Sequence, residues 1–279
     1  MIVDWTVVGT WPAAQPFDLR RSLGSLRVGP YDPTCRLAGG FEKAFWSPGG
    51  PCTLRFTPER LEVTGPGTAW CVEHCGRSLC FQDGPVERPV HPVLRDCFQR
   101  LPGLRFVSVP WISDLAAGLV IQQRVTFEEA MRSYRQIIER YGDKSPCGNL
   151  RLPLSREQWL GLSCARLQSF NLDQKRAVTL LRVADLSRKI DRLYLGDYAA
   201  ARDLLSKIPG IGPWTREGLL GSALGDPDAV QTGDVWLPHT VTFALTGDSW
   251  GSDERMVELL EPYAGYRLKV IRWLMASKS

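Results

Sequence analysis

The chain has 279 residues, of which 44% are hydrophobic and 23% charged, with a formal net charge of +4. This is the balance of a globular protein of one large or two smaller units. No apolar run approaches the roughly 20 residues of a membrane span, and Met1-Ile2-Val3-Asp4-Trp5 lacks the basic-then-apolar layout of a signal peptide, so an intracellular (cytoplasmic) location and no membrane partner are expected.

Residues 1 to about 90 are rich in Gly, Pro and short apolar runs: Asp4 to Val8, Phe41 to Trp46, Cys52 to Phe56 and Leu61 to Val63. The last two alternate and are broken by Pro58-Glu59-Arg60, which predicts a hairpin within a small antiparallel sheet. Arg88-Pro89-Val90-His91-Pro92 reads as a linker. From residue 91 the pattern turns helical. Ser113 and Asp114 are candidate caps of a helix running to about Ile121. Thr126 and Glu129 form a capping box for the next helix, which turns Ala130, Met131, Tyr134, Ile137, Ile138 and Tyr141 to one side and ends at Gly142. Gln122, Gln123 and Arg124 then fall at the corner between two helices, where polar residues are commonly just solvent-exposed. Further helices are predicted over about 155–165, 173–193, 198–208, 213–224, 253–261 and 263–276. The fold class is α+β: a β-rich unit over 1–90, then a helical unit over 91–279. Residues 151–192 hold nine Lys/Arg against four Asp/Glu, which fits either a DNA-facing surface or a solvated helical face.

Eight cysteines are present. Cys71, His74, Cys75 and Cys80 are close together, but Cys-x3-Cys-x4-Cys is a poor zinc spacing, and buried thiols are the better reading; no metal is expected. His74, His91 and His239 look incidental, and His239, five residues from Asp234, shares no helical face with it.

The densest signal is Leu204 to Thr215, in which Ile208-Pro209-Gly210-Ile211-Gly212-Pro213-Trp214-Thr215 follows a helical stretch from Tyr198. Pro209 cannot continue that helix. Gly210 and Gly212 both permit positive φ, and Pro213 suits the first turn of a second helix. The amides around Gly210 to Gly212 are then left unpaired at a helix N-terminus, where they bind anions, phosphate above all. The turn alone is equally that of an ordinary helical corner. Asp234 follows 22 residues after Gly212; on its own it reads as a helix cap. Asp226-Pro227-Asp228 reads as a turn.

The run from Ile208 to Thr215, with Ala223 to Val230 and Gly233-Asp234, resembles the helix-hairpin-helix/Gly-Pro-Asp DNA glycosylase superfamily, nearest to the alkylated-base (3-methyladenine glycosylase II) type. Leu119 to Thr126 resembles the segment that enters the minor groove, and Glu261 to Arg267 the C-terminal Pro-aromatic-Arg segment. The likeness covers roughly residues 103–275, with the hairpin at about 198–224. It implies a base-excision-repair enzyme that binds double-stranded DNA as a monomer and flips a damaged base into a pocket. It implies that Asp234 is catalytic, stabilising positive charge on the sugar, and that Trp214 and Tyr263 line the base pocket, although Trp214 is also plausible as a core residue. Gln123 and Arg124 would probe the gap left by the extruded base, and Gly210, Ile211, Gly212 and Thr215 would hold DNA. Members that also cut the backbone have a lysine where Trp214 stands, so a monofunctional enzyme is expected. No cysteine lies beyond Cys164, so the iron–sulfur cluster of some members is not expected; a monovalent cation at the hairpin backbone is. Gly218, Val235, Arg216 and Ala264 depart from the family pattern where the base should sit. Methylated purines are the expected substrate, with an oxidised or deaminated base, or a non-catalytic DNA-binding role, as alternatives.

Overall fold

The computed structural model describes residues 4–10, 17–37, 39–78 and 89–277. Arg88 of the expected linker and Cys80 of the cysteine–histidine group lie outside the described residues. The chain opens with β1 (Thr6–Thr10), the short helix α1 (Leu19–Leu23), then β2 (Cys35–Leu37), β3 (Phe41–Ser47), β4 (Gly50–Phe56) and β5 (Arg60–Thr64), closed by α2 (Thr68–Ser78). The strands form one antiparallel sheet in the order β1-β5-β4-β3-β2. The expected hairpin is its β4–β5 pair, with Phe56 opposite Leu61.

Both faces of β3 are buried. Period-2 alternation puts Phe41, Lys43 and Phe45 on the face toward the helices, and Glu42, Ala44 and Trp46 on the other. The second face is covered by Cys147, Leu150 and Leu152, packed against Ala44. Lys43 thus points its ammonium into an apolar core. There its Nζ donates to the Asp114 carboxylate and to Thr34 Oγ1 at 2.7 Å, while Tyr134 Oη donates to Asp114 at 3.0 Å.

The helical part comprises α3 (Pro92–Arg100), α4 (Ile112–Gln122), α5 (Phe127–Tyr141), α6 (Arg156–Leu160), α7 (Cys164–Gln168), α8 (Gln174–Asp185), α9 (Ser187–Ile190), α10 (Tyr198–Ser206), α11 (Pro213–Leu219), α12 (Leu237–Thr246), α13 (Asp253–Leu260) and α14 (Arg267–Ala276). The capping box on α5 is present as expected. Several expectations need correction. The helix expected over 263–276 begins only at Arg267, after a 3-10 turn at Glu261–Tyr263, and that over 213–224 is α-helical only to Leu219 and continues as a π turn to Leu224. Neither Ser113 nor Asp114 caps α4, which begins at Ile112; both lie within its first turn, Asp114 committed to Lys43 and Ser113 to Asp191. The stretch 155–165 is two short helices, because Ser163 accepts from Arg166 N and starts α7 afresh. The stretch 173–193 breaks after Asp185 into α9 and a 3-10 turn at Asp191–Leu195. Helices α1, α2 and α12 were not anticipated.

Two hydrophobic clusters organise these elements. One joins the sheet to α4, α5, α8, α10 and α11, through residues such as Phe45, Leu54, Ile121, Tyr134, Leu180 and Leu219. The other joins α3 to α12, α13 and α14, through Leu94, Val241, Met256, Leu260, Val270 and Trp273. The chain therefore sends α3 to pack with its last helices before returning to α4. The segment after α11 crosses from the first cluster to the second, and Asp234 lies on that crossing. Among the described residues, no helix is long and apolar enough to cross a membrane.

Candidate active site

Asp197 caps α10 by accepting from Ala200 N at 2.7 Å. Past Ser206 the chain turns at Pro209 and Gly210. Gly210 has φ +100°, and a Cβ there would stand 2.0 Å from Thr179 Oγ1, so both backbone conformation and space require glycine. Gly212 differs from expectation. Its φ is −84°, it is the N-cap of α11 with no side-chain cap, and a Cβ would meet nothing within 4 Å. Neither strain nor packing explains that glycine. The Ile211 amide is also not free, since it donates to Ile208 O at 3.0 Å and the side chain is buried. Among the described residues the amides of Gly210 and Gly212 meet no acceptor.

The corner between α4 and α5 is bonded to this hairpin. Gln123 Nε2 donates to Gly210 O at 3.0 Å and to Thr215 Oγ1 at 2.9 Å, and Thr215 is buried. The amide of Gln123 is thus engaged with the hairpin. Arg124 stands out from the corner, exposed and at φ +57°. A non-glycine residue held in that region is uncommon.

The carboxylate of Asp234 is fixed on both oxygens. Oδ1 accepts from Trp236 N at 2.9 Å and Leu237 N at 2.8 Å, at the start of α12; Oδ2 accepts from Trp214 Nε1 at 2.9 Å. The preceding Gly233, at φ +80°, donates its amide to Asp253 Oδ2 at 2.8 Å, which pins the loop to α13. Trp214 sits in the first turn of α11, so one hydrogen bond ties the helix after the hairpin to the helix after the acid. The neighbouring acids are occupied. Arg202 binds Glu217 and, at 2.7 Å, the buried Asp226, whose other oxygen accepts from Asp228 N in the expected turn. Asp228 accepts from Gly265 N and from Arg267.

Gln231 carried no sequence signal beyond being a polar residue in a loop, yet it shapes this site. Its Nε2 donates to Trp214 O at 3.2 Å, and a Cβ on Gly218 would stand 2.5 Å from the same nitrogen. The room that the missing side chain of Gly218 leaves is therefore filled by the Gln231 amide rather than open. Arg216 is held by Glu217 at 2.8 Å. Val235 and Trp236 are 71% and 73% exposed, an apolar pair beside the acid. Tyr263 and Arg124 lie outside these hydrogen bonds. Tyr263 stands edge-on to Tyr266 at 5.7 Å against the second cluster, where burial pushes its phenol up; Ala264 bonds back to Glu261 O in the same turn. His239, as expected, belongs elsewhere: it accepts from Gly251 N and packs on Trp250.

No family model matches the chain. A DNA-3-methyladenine glycosylase of Bacillus subtilis (strain 168) is 23% identical over 180 residues, 62% of this chain and 59% of that protein. A probable bifunctional transcriptional activator/DNA repair enzyme AlkA of Mycobacterium tuberculosis (strain CDC 1551 / Oshkosh) is 30% identical over 151 residues, 52% of this chain and 30% of that protein. The match thus spans under two thirds of each relative. The 3-methyladenine DNA-glycosylase from Archaeoglobus fulgidus shares the fold with a TM-score of 0.76 at 19% identity, covering 97% of this chain and 96% of that one. The Clostridium acetobutylicum 8-oxoguanine glycosylase/lyase in complex with double-stranded DNA gives 0.67 at 12% identity, covering 94% and 91%. In sequence and in fold the chain is similar to the helix-hairpin-helix glycosylases, and in sequence to their alkylated-base type.

Proposed function

We propose that this chain is a monofunctional DNA glycosylase that hydrolyses the N-glycosidic bond of alkylated purines in double-stranded DNA. The observation that carries the reading is the Asp234 carboxylate, held on both oxygens and joined through Trp214 to the helix that the glycine hairpin begins. Loss of the base leaves positive charge on the sugar, and a carboxylate that is already oriented stabilises it without reorganising. The same group orients the attacking water. The amides of Gly210 and Gly212 hold a backbone phosphate, with Thr215 and Ile211 fixing the hairpin beneath them. Arg124, projecting from the corner that Gln123 ties down, fills the gap left by the extruded base, and Trp214 and Tyr263 face that base. Trp214 has no amine to form a Schiff base, so the strand is left uncut.

The resemblance also implies a monovalent cation among the hairpin carbonyls. Arg182 donates to Pro209 O at 3.2 Å and Gln123 to Gly210 O. Pro209 O thus carries a guanidinium and Gly210 O an amide, so a cation would have to be held by the other hairpin carbonyls, and no step is routed through one. The division into a β-rich unit over 1–90 and a helical glycosylase unit over 91–279, a monomeric state, and action in the compartment that holds the DNA complete the proposal.

Incubation with methylated duplex DNA, followed by identification of the released bases, tests it. Release of 3-methyladenine or 7-methylguanine by the wild type, with intact strands, is the expected result. A second reading is favoured by Gln231: an amide beside Trp214 offers hydrogen bonds that a neutral oxidised or deaminated base would use. Release from 8-oxoguanine or hypoxanthine duplexes in place of methylated ones selects that reading. DNA binding with no release from either panel leaves a binding module, and a borohydride-trapped adduct overturns the monofunctional assignment.

A further inference from the structure

Val235 and Trp236 follow the acid directly, and both side chains are mostly exposed. A single exposed apolar residue is ordinary, but a valine and an indole side by side next to a carboxylate form a patch that solvent does not favour. Local structure gives no reason for the indole. The inner side of α12 is settled by Leu237 and Pro238, both buried, with Leu237 in the second cluster. Trp236 stands at the N-cap of that helix and contributes its main chain, whose N donates to Asp234 Oδ1 at 2.9 Å. Its ring enters no hydrogen bond or ring contact among the described residues. The comparably exposed Trp250 differs, since it packs on His239 with centroids 4.5 Å apart.

The place of this ring matters. Trp214 donates its Nε1 to Asp234 Oδ2, so two tryptophans flank the carboxylate, one through its indole and one through its backbone. Consecutive Cα atoms are 3.8 Å apart, so the Cα atoms of Asp234 and Trp236 are separated by at most about 7.6 Å. A nucleotide whose sugar lies against the carboxylate is within the span of a side chain so close to it. The other positions around the base offer little flat surface. Gly218 has no side chain, and its room is taken by the Gln231 amide. Val235 is aliphatic. Tyr263 is turned edge-on to Tyr266 against the second cluster.

We infer that Trp236 is a binding residue for the extruded base and stacks on its face. The inference rests on the reading of Asp234 as the acid that faces the sugar. Purines alkylated on a ring nitrogen are electron-poor and carry positive charge while still joined to the sugar, and indole is the strongest aromatic partner for such a ring. Helix α12 holds no charged residue from Leu237 to Thr246, so nothing along it repels that charge. Positive charge leaves the base as the bond breaks, so the stack acts on the population of the extruded state rather than on bond cleavage.

Single-turnover release of 7-methylguanine from a duplex carrying one such base, measured over a range of protein concentration, gives an apparent second-order rate. Trp236→Leu is expected to lower it about tenfold, and Trp236→Phe, which keeps an aromatic face, by less than threefold. Binding of undamaged duplex should be unchanged in both, because no base is extruded there. Leucine retains the main-chain N that holds Asp234, and an unchanged urea midpoint shows that folding is intact. Trp250→Leu is the control and is expected to match the wild type. A rate for Trp236→Leu within threefold of wild type overturns the inference. So does an equal loss of binding to undamaged duplex, which would make the ring a contact to the DNA backbone. A dimer that Trp236→Leu converts to monomer, with release unchanged, would assign the ring to a protein interface and overturn it as well. No release by the wild type overturns the reading of Asp234 together with this one, whereas wild-type release that Trp236→Leu leaves untouched overturns this inference alone.

Discussion

Asp234→Asn separates the two duties of one carboxylate. Asparagine keeps a carbonyl oxygen where Oδ1 accepts from Trp236 N and Leu237 N, so the start of α12 stays capped. Its amide nitrogen then faces Trp214 Nε1, donor against donor, where a 2.9 Å bond to a carboxylate stood. A hydrogen bond to a charged group contributes about 1.5–3 kcal/mol; the site is only half-buried, so a loss of about 1–2 kcal/mol in stability is expected. For a chain of this size that is a fall in Tm of roughly 2–8 °C. Removing the charge that faces the developing oxocarbenium ion costs more, about 10²–10³ in rate, or roughly 3–4 kcal/mol. Single-turnover release of 7-methylguanine from alkylated duplex, run beside chemical denaturation, reads both quantities. Trp214→Phe removes the bond but leaves the charge, and is expected to lose about tenfold. If Asp234→Asn stays within threefold of wild type while folded, the carboxylate does not carry the reaction and the acid is a cap only.

The two hairpin glycines should behave oppositely. Gly212→Ala, at φ −84° with open space around the new methyl, is expected to leave stability within about 0.5 kcal/mol while weakening duplex binding in a salt-dependent titration. Gly210→Ala, at φ +100° and against Thr179, is expected to destabilise by about 2–4 kcal/mol in urea unfolding. Lys43→Met leaves Asp114 buried without its cation and is expected to cost about 3–5 kcal/mol, part of which Lys43→Met/Asp114→Leu should restore. Asp191 has a folded pKa of about 7, above the ordinary 3.8, because it is buried. The folded state therefore holds the extra proton, and this stabilisation is full below about pH 4 and lost as pH rises through 7. Asp191→Asn should flatten that part of the stability–pH curve, and an unchanged slope would refute the assignment.

What the sequence made legible followed from local rules. The capping box on α5, the β4–β5 hairpin and the helix–turn–helix around Gly210 each depend on residues within a few positions of one another, so spacing suffices to read them. What was missed depends on partners far along the chain. Lys43 could have been suspected, since alternation puts it on one face with Phe41 and Phe45, but its partner Asp114 is 71 residues away. Gln231 matters because Gly218 leaves room, and no local pattern joins the two. Helix α12 was hidden by Val241, Thr240 and Thr242, β-branched residues that lower helix propensity, and by Pro238; packing of Leu237 and Val241 into the second cluster overrides both.

Asp234 draws the two kinds of information together. Read from sequence, a helix cap and a catalytic acid are rival accounts of the same residue. In the structure the cap is what makes a catalytic acid physically reasonable. Two amides at the start of α12 and one indole N–H from α11 fix both oxygens, so the carboxylate needs no reorganisation when charge develops near it. The fixed acid also bridges the two hydrophobic clusters, because its partners belong to helices in different ones. A shift of either cluster against the other would therefore register first at the Trp214–Asp234 bond. A variant far from the site, such as Lys269→Met, which removes the 2.8 Å bond from Nζ to Leu104 O beneath α14, then offers a separate check. It should lower base release by more than its loss of stability accounts for if the juncture sets the geometry of the acid, and by no more than that if each cluster holds its share of the site alone.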